Sequence, residues 1–178
     1  FVQAPIADGG DGSPEILMGY VFRSVHAQSY NALMAPVNVV YGKKDLPNGS
    51  LAFLEMASIC GITSLIGREL QPHFASSYGL GEVAYQALDA GVDEIIVSVG
   101  GSASTDGGIG FLVGLGAIVR NSSGSRVAPN LDGLIDAYSI DLSLLHPRTK
   151  RVKWTFLVDV LNPLVGKSGA AYTFGPQK

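Results

Sequence analysis

Short apolar runs, each closed by a glycine- or aspartate-rich turn, recur along the chain, and their periods set the predicted elements. Val2 to Ala7 is apolar and enters Asp8-Gly9-Gly10-Asp11-Gly12-Ser13-Pro14. Residues 15–20 then have helical character, with Pro14 tolerated in the first turn. Residues 21–28 and 34–41 alternate loosely, and a turn over 43–49 with Pro47-Asn48-Gly49 leads into 51–55, which together predict a three-stranded meander. Residues 57–65 fit a short helix broken at Gly61 as well as they fit a buried strand. Residues 79–90 carry apolar positions at helical spacing, with Gly91 as C-terminal cap. The β-branched run from Glu94 to Val99 reads as a buried parallel strand, followed by a glycine-rich loop over 100–108 and a helix through Leu115. A strand over 117–120, a turn over 121–129, a loop with a short helix over 131–145 and a strand over 153–158 complete the pattern. Strands alternating with helices predict an α/β fold with an antiparallel meander attached.

Composition narrows the function classes. With 47% hydrophobic and 15% charged residues, the chain has the makings of a packed core and is not a disordered or low-complexity sequence. The net charge is −3 and the basic residues are scattered, which argues against a nucleic-acid surface. The single cysteine, Cys60, has no internal disulfide partner and is expected to be a small buried apolar residue in a reduced, cytoplasmic protein. No stretch reaches the roughly 18–20 apolar residues that span a bilayer. The longest, from Gly107 to Val119, is bounded by Asp106 and Arg120. The first residues lack a basic n-region and read as the middle of a strand, so a signal peptide is not expected and the chain reads as a fragment.

In open α/β sheets ligands bind beyond the carboxyl ends of strands, and the loops at Asp8, Gly100 and Asp159 all follow predicted strands. They are expected to converge on one cleft. The loop with Gly100, Gly101, Gly107 and Gly108 offers unobstructed backbone N–H groups, the hydroxyls of Ser102, Ser104 and Thr105, and a helix N-terminus, a donor set for phosphate or carboxylate. Asp106 amid these donors suggests Mg²⁺ bridging carboxylate and phosphate, against a plain helix-capping role. Asp8 and Asp11 form a compact acidic loop suited to a hydrated Mg²⁺ or to accepting a hydroxyl proton, although a solvated turn would look similar. Asp159, followed by Asn162-Pro163, is placed to orient a metal-bound water or a substrate hydroxyl. Gly166-Lys167-Ser168 mimics the end of a P-loop, but Leu161 stands where its first glycine belongs and Pro163 interrupts the cradle. No dinucleotide fingerprint follows a strand, and His26, His73 and His146 lack zinc spacing, so each is expected on the surface or as a satisfied core residue. Asn48-Gly49-Ser50 and Asn121-Ser122-Ser123 match the glycosylation pattern but read as turns.

Five segments in order carry a family resemblance: Pro5 to Gly12, Ser77-Tyr78-Gly79-Leu80-Gly81-Glu82, Gly100 to Gly108, Asp159 to Leu164, and Phe174-Gly175-Pro176-Gln177-Lys178. With Leu54-Glu55-Met56-Ala57-Ser58 between them, the chain resembles the central part of the type-1 glycerate kinases, whose chains extend beyond both of its ends. It departs from the family's usual pattern at Asp11, Ser13, Leu80 and Leu161. The resemblance implies an ATP-dependent kinase acting on a hydroxyl of D-glycerate, with two α/β lobes, one inserted in the other, and the active site between them. Residues 1–19 would belong to the interrupted lobe and 20–178 to the inserted one. It further implies ATP and Mg²⁺ as cofactors and no nucleic-acid or membrane partner, and leaves a homo-oligomer open. Asp8, Asp106 and Asp159 are the candidates for catalysis, and Asp8, Asp11 and Asp159 for the metal. Ser77, Tyr78, Asn162, Gln177 and Lys178 join the glycine-rich loop as substrate or phosphate contacts, with Lys178 countering anionic charge. The alternatives are a non-catalytic sugar-acid or anion-binding module, an inactive portion of such a kinase, and, less supported, a nicotinamide-dependent dehydrogenase.

Overall fold

The computed structural model describes residues 21–67 and 69–178, so Asp8, Asp11, the predicted first strand and helix, and the boundary at residues 19 and 20 lie outside the described residues. The meander forms as predicted. Strands β1 (Arg23–Tyr30), β2 (Pro36–Leu46) and β3 (Gly49–Glu55) pair antiparallel in sequence order. The turn before β3 is tighter than the sequence pattern suggests. Leu46 pairs with Gly49, so only Pro47 and Asn48 form the loop and β2 runs on through Lys43 and Lys44. At the other turn Asn31 Oδ1 accepts from the amides of Leu33 and Ala35 at 3.0 Å each, which lets the chain reverse.

The parallel part of the sheet lies on the far side of β3. Strand β4 (Glu94–Ser98) pairs parallel with β3, and β7 (Lys153–Leu157) pairs parallel with β4 at the sheet edge. The five-stranded sheet is therefore mixed, with the carboxyl ends of β3, β4 and β7 side by side. Two parallel connections require crossovers. The first passes through α1 (Met56–Cys60), a 3₁₀ turn over Ile62–Leu65 and α2 (Tyr78–Asp89). Residues 57–65 thus take the helical option, interrupted at Gly61. The second passes through α3 (Ile109–Gly114), β5 (Ile118–Arg120), α4 (Leu131–Asp136) and β6 (Ser139–Asp141). β5 and β6 form a small separate antiparallel sheet, and α5 (Ala170–Phe174) lies near the end of the chain.

Helix α2 supplies the main packing against the sheet. Leu80, Val83, Ala84, Ala87 and Leu88 recur at the helical interval and are all buried, together with Leu54 of β3 and Ile95 and Val97 of β4. Leu80, a departure from the family pattern, is thus a core residue. Helices α2 and α3 touch backbone to backbone, because a Cβ on Gly81 would lie 2.2 Å from the Phe111 carbonyl oxygen and one on Gly114 2.5 Å from that of Tyr78. The histidines fall as expected. His26 is exposed, His73 is half-exposed in a 2.7 Å pair with Asp132, and His146 is buried. His146 Nδ1 accepts from the Arg148 amide at 3.1 Å, so its ring proton sits on Nε2 and is donated to Asp89 Oδ1 at 3.0 Å.

Candidate active site

The parallel strands β4 and β7 release their chains at the same edge, and a cleft of about 820 Å³ opens there. One wall is the loop from Gly100 to Gly108. It is fastened to the α1 region by the Ile62 amide donating to the Gly101 carbonyl at 2.9 Å and the Ala103 amide donating to the Cys60 carbonyl at 3.0 Å. Gly107 and Gly108 take φ of 60° and 80° in succession, a left-handed pair that other residues resist, and this turns the chain into α3. The other wall is the continuation of β7 through Val158, Asp159 and Val160, together with Phe174, Gln177 and Lys178. Two of the three converging loops therefore do share one concave surface.

Asp106 sits at the back of this cleft, 3% exposed, with both carboxylate oxygens engaged. Oδ2 accepts from the Ser77 amide and the Ser77 hydroxyl at 2.7 Å each and from the Gly110 amide at 3.3 Å, while Oδ1 accepts from the Gly108 amide at 3.1 Å. Ser77 Oγ in turn accepts from the Phe111 amide at 2.9 Å. The amides at the start of α3 are consequently used inside the protein. Upstream, the amides of Gly101, Ser102, Ser104 and Thr105 have no acceptor among the described residues, and the Thr105 hydroxyl is buried without a partner. Lys178 reaches this segment from the opposite wall. Its Nζ donates to Ser102 Oγ and to the Ser104 carbonyl, both at 2.8 Å, leaving one ammonium proton over. Burial holds the Lys178 pKa below its ordinary 10.5, while the negative charge of Asp106 pulls it back up.

The cleft gathers Gly100, Gly101, Ser102, Ser104, Thr105 and Asp106 with Gly107, Gly108, Ser77, Asp159, Gln177 and Lys178. Asp159 is exposed and has no partner among the described residues. Two predicted contacts do not line it. Tyr78 packs its ring against Tyr30 at 5.9 Å, and Asn162 Nδ2 donates to the Ser168 carbonyl and to Thr173 Oγ1 at 2.9 and 3.2 Å, tying the loop after β7 to α5. Sequence reasoning missed the apolar lining. Phe111 of α3, Phe156 of β7 and Leu131 and Leu134 of α4 come from three separate elements, and the sequence pattern placed Phe111 only within a helix running through Leu115.

A flat ring could lie on that lining while phosphates meet the free amides and Lys178, so the donor set fits a nucleotide. For Mg²⁺ the described residues offer less. They contain no group of three or more metal-ligating side chains. Of the two described carboxylates in the cleft, Asp106 is engaged and Asp159 is not, and Mg²⁺ commonly takes one or two carboxylates with phosphate oxygens and water.

Cys60 lies just behind the glycine-rich loop, fully buried, with Sγ 3.8 Å from the Tyr30 carbonyl. Burial pushes its thiol up to about 12. The folded chain is therefore expected to resist a thiol reagent at pH 8 and to react fully once denatured; modification at equal rates in both states would contradict the buried placement.

The sequence model of the glycerate kinase family matches residues 1–178. Glycerate 2-kinase of Escherichia coli (strain K12) is 37% identical over 179 residues, covering 100% of this chain and 46% of that protein. Glycerate kinase of Bacillus subtilis (strain 168) is 37% identical over 177 residues, covering 99% and 46% respectively. A crystal structure from Salmonella typhimurium LT2 superposes with a TM-score of 0.89 at 40% identity, covering 97% of this chain and 47% of that one. The chain thus spans about half the length of the curated relatives it matches.

Proposed function

Because the chain belongs to the glycerate kinase family, we propose that it carries the anion-holding part of an ATP-dependent kinase that phosphorylates a hydroxyl of D-glycerate. One observation carries the reading: Lys178 Nζ is held on Ser102 and Ser104 beside a run of loop amides that, like Asp159 in the same cleft, have no partner among the described residues. Phosphoryl transfer asks a protein mainly for positioning and for charge stabilisation on the transferring group. The amides of Gly101, Ser102, Ser104 and Thr105, with Lys178, would supply both to the phosphates. The apolar lining by Phe111 and Phe156 suits the base. The glycerate hydroxyl oxygen forms a bond to the γ-phosphorus as the bond to the ADP oxygen breaks, and the hydroxyl proton passes to Asp159. When bound, Mg²⁺ would offset charge on the phosphate oxygens; of its expected carboxylates, Asp8, Asp11 and Asp159, the last is given the proton in this reading, which leaves Asp8 and Asp11 to hold the metal. A cytoplasmic location, where ATP is at hand, belongs to the same reading.

A second reading is favoured by the surface around the cleft. Leu161, Leu164 and Val165 stand exposed, Leu161 entirely so. Exposed apolar clusters mark contact sites. In this reading the chain binds the ligands, and transfer requires further polypeptide over that face.

Coupled ADP release with D-glycerate and Mg·ATP tests the proposal. Glycerate-dependent ADP release is expected, with Asp159→Asn lowering turnover by about 100-fold or more, the usual contribution of a proton-accepting group. ADP release that ignores glycerate, or an Asp159→Asn variant with full turnover, would overturn it. Binding of both ligands without ADP release would favour the second reading.

A further inference from the structure

The glycine-rich loop contains one carboxylate whose two oxygens are both hydrogen-bonded inside the protein. Asp106 accepts four hydrogen bonds, from Ser77 N and Oγ, Gly110 N and Gly108 N, and it is almost wholly buried. Those donors come from two separate places in the chain. Ser77 immediately precedes α2, and Gly108 and Gly110 open α3. The Ser77 hydroxyl relays the link once more by accepting from Phe111 N. A carboxylate shared this way serves the orphan amides at the starts of two helices at once. Oδ2, which already accepts three hydrogen bonds, could act as a base or a metal ligand only by giving up a buried donor, at a cost of about 1–3 kcal/mol, while Oδ1 keeps one lone pair in a residue that is 3% exposed.

We infer that Asp106 is a positioning residue that clasps the starts of α2 and α3 and thereby fixes the loop over 101–105 beneath Lys178, rather than a proton acceptor or a ligand to Mg²⁺. This rests on the reading above that the loop holds a phosphate. Packing agrees with a clasp at this point. A Cβ added at Gly110 would fall 2.6 Å from Asp106 Oδ2 and 2.5 Å from Ser76 Oγ, so carboxylate, serines and α3 leave one another no slack. Ser76, next to the clasp, donates through Oγ to the Pro129 carbonyl and accepts from the Tyr78 amide at 3.0 Å, so the start of α2 is held from the α4 side as well.

The test measures ATP affinity of the 178-residue chain by calorimetry, well below its melting temperature, once with excess Mg²⁺ and once with EDTA. Amide hydrogen exchange is followed in parallel. Asp106→Asn is expected to weaken ATP by about tenfold, the scale of one lost hydrogen bond to a charged group, by the same factor with and without the metal. Ser77→Ala, which leaves the carboxylate in place, is expected to reproduce part of that loss. In both variants the amides of Gly108, Gly110 and Phe111 should exchange faster than in the parent chain. A loss confined to the Mg²⁺ arm would make Asp106 a metal ligand and overturn the inference, as would unaltered ATP affinity in Ser77→Ala. Should the parent chain bind no ATP in either arm, the phosphate reading fails by itself. The exchange rates then decide alone, and unchanged protection in Asp106→Asn would overturn the clasp.

Discussion

Replacing Gly81 by alanine is expected to lower the melting temperature by about 10 °C, taking about 3 kcal/mol for overpacking and roughly 2–4 °C per kcal/mol at this chain length. The residue lies mid-helix in α2, where alanine alone would add about 1 kcal/mol of helix propensity, so the local preference and the tertiary demand point in opposite directions. Contact decides the outcome. The new Cβ would sit 2.2 Å from the Phe111 carbonyl oxygen and 3.0 Å from the Gly114 Cα, and backbone atoms of α3 have no rotamer with which to retreat. The helices would have to part, and the Ser77–Asp106–Gly110 hydrogen bonds span that same junction. Gly175→Ala is the control, since Gly175 has helical dihedrals and nothing within 4 Å of the added carbon. Thermal melting of the two variants against the parent chain checks this. Equal melting temperatures would mean that α2 and α3 are not packed backbone to backbone.

Lys178→Met is expected to cost about 100-fold in affinity for an anionic ligand such as ATP, because the ammonium that Ser102 and Ser104 position has one proton left for a charge-assisted hydrogen bond to the anion, worth about 1.5–3 kcal/mol. The pH dependence gives the sharper signature. Burial lowers the pKa of Lys178 in the free protein, and a bound anion would favour the charged form and raise it again. Binding therefore takes up a proton once pH passes the lowered value, and affinity falls as pH rises through it. The other groups touching Nζ, Ser102 Oγ and the Ser104 carbonyl, do not titrate, and Asp106 is the charged side chain acting on it. In Lys178→Met that slope should vanish. Stability moves the opposite way. Between the lowered folded value and the ordinary one of the unfolded chain, the unfolded state binds more protons, so stability rises with pH and the methionine variant flattens the rise. An affinity independent of both the substitution and pH would remove Lys178 from the site.

The legible parts of this molecule were those governed by near neighbours. The β1–β3 meander follows from alternation and the Pro47-Asn48 turn, and α2 from the 80, 83, 84, 87, 88 spacing closed by Gly91 with φ of 80°. The carboxyl-end rule brought the Gly100 and Asp159 loops together correctly. What escaped depends on distant partners. Strand β6 is exposed at all three positions, so it has no apolar period to betray it, and it exists only because β5 pairs with it. Residues 57–65 were balanced between helix and strand because the run is short and broken at Gly61, too short for its buried side chains, Ala57, Ile59, Cys60 and Leu65, to fix a period. Asp106 looked like a ligand for a cation because its neutralising donor, Ser77, lies 29 residues earlier. The placement of Tyr78 and Asn162 away from the cleft likewise depends on Tyr30 and Thr173.

The bonds from Lys178 to Ser102 and Ser104 join positions 76 and 74 residues apart. Closing so long a loop is entropically slow compared with pairing the hairpins of the meander. During biosynthesis, the meander and α2 can consolidate while residues beyond 150 are still emerging from the ribosome. Of the described residues that line the pocket, Lys178 comes latest along the chain, so the anion site is incomplete until its ammonium docks on the loop.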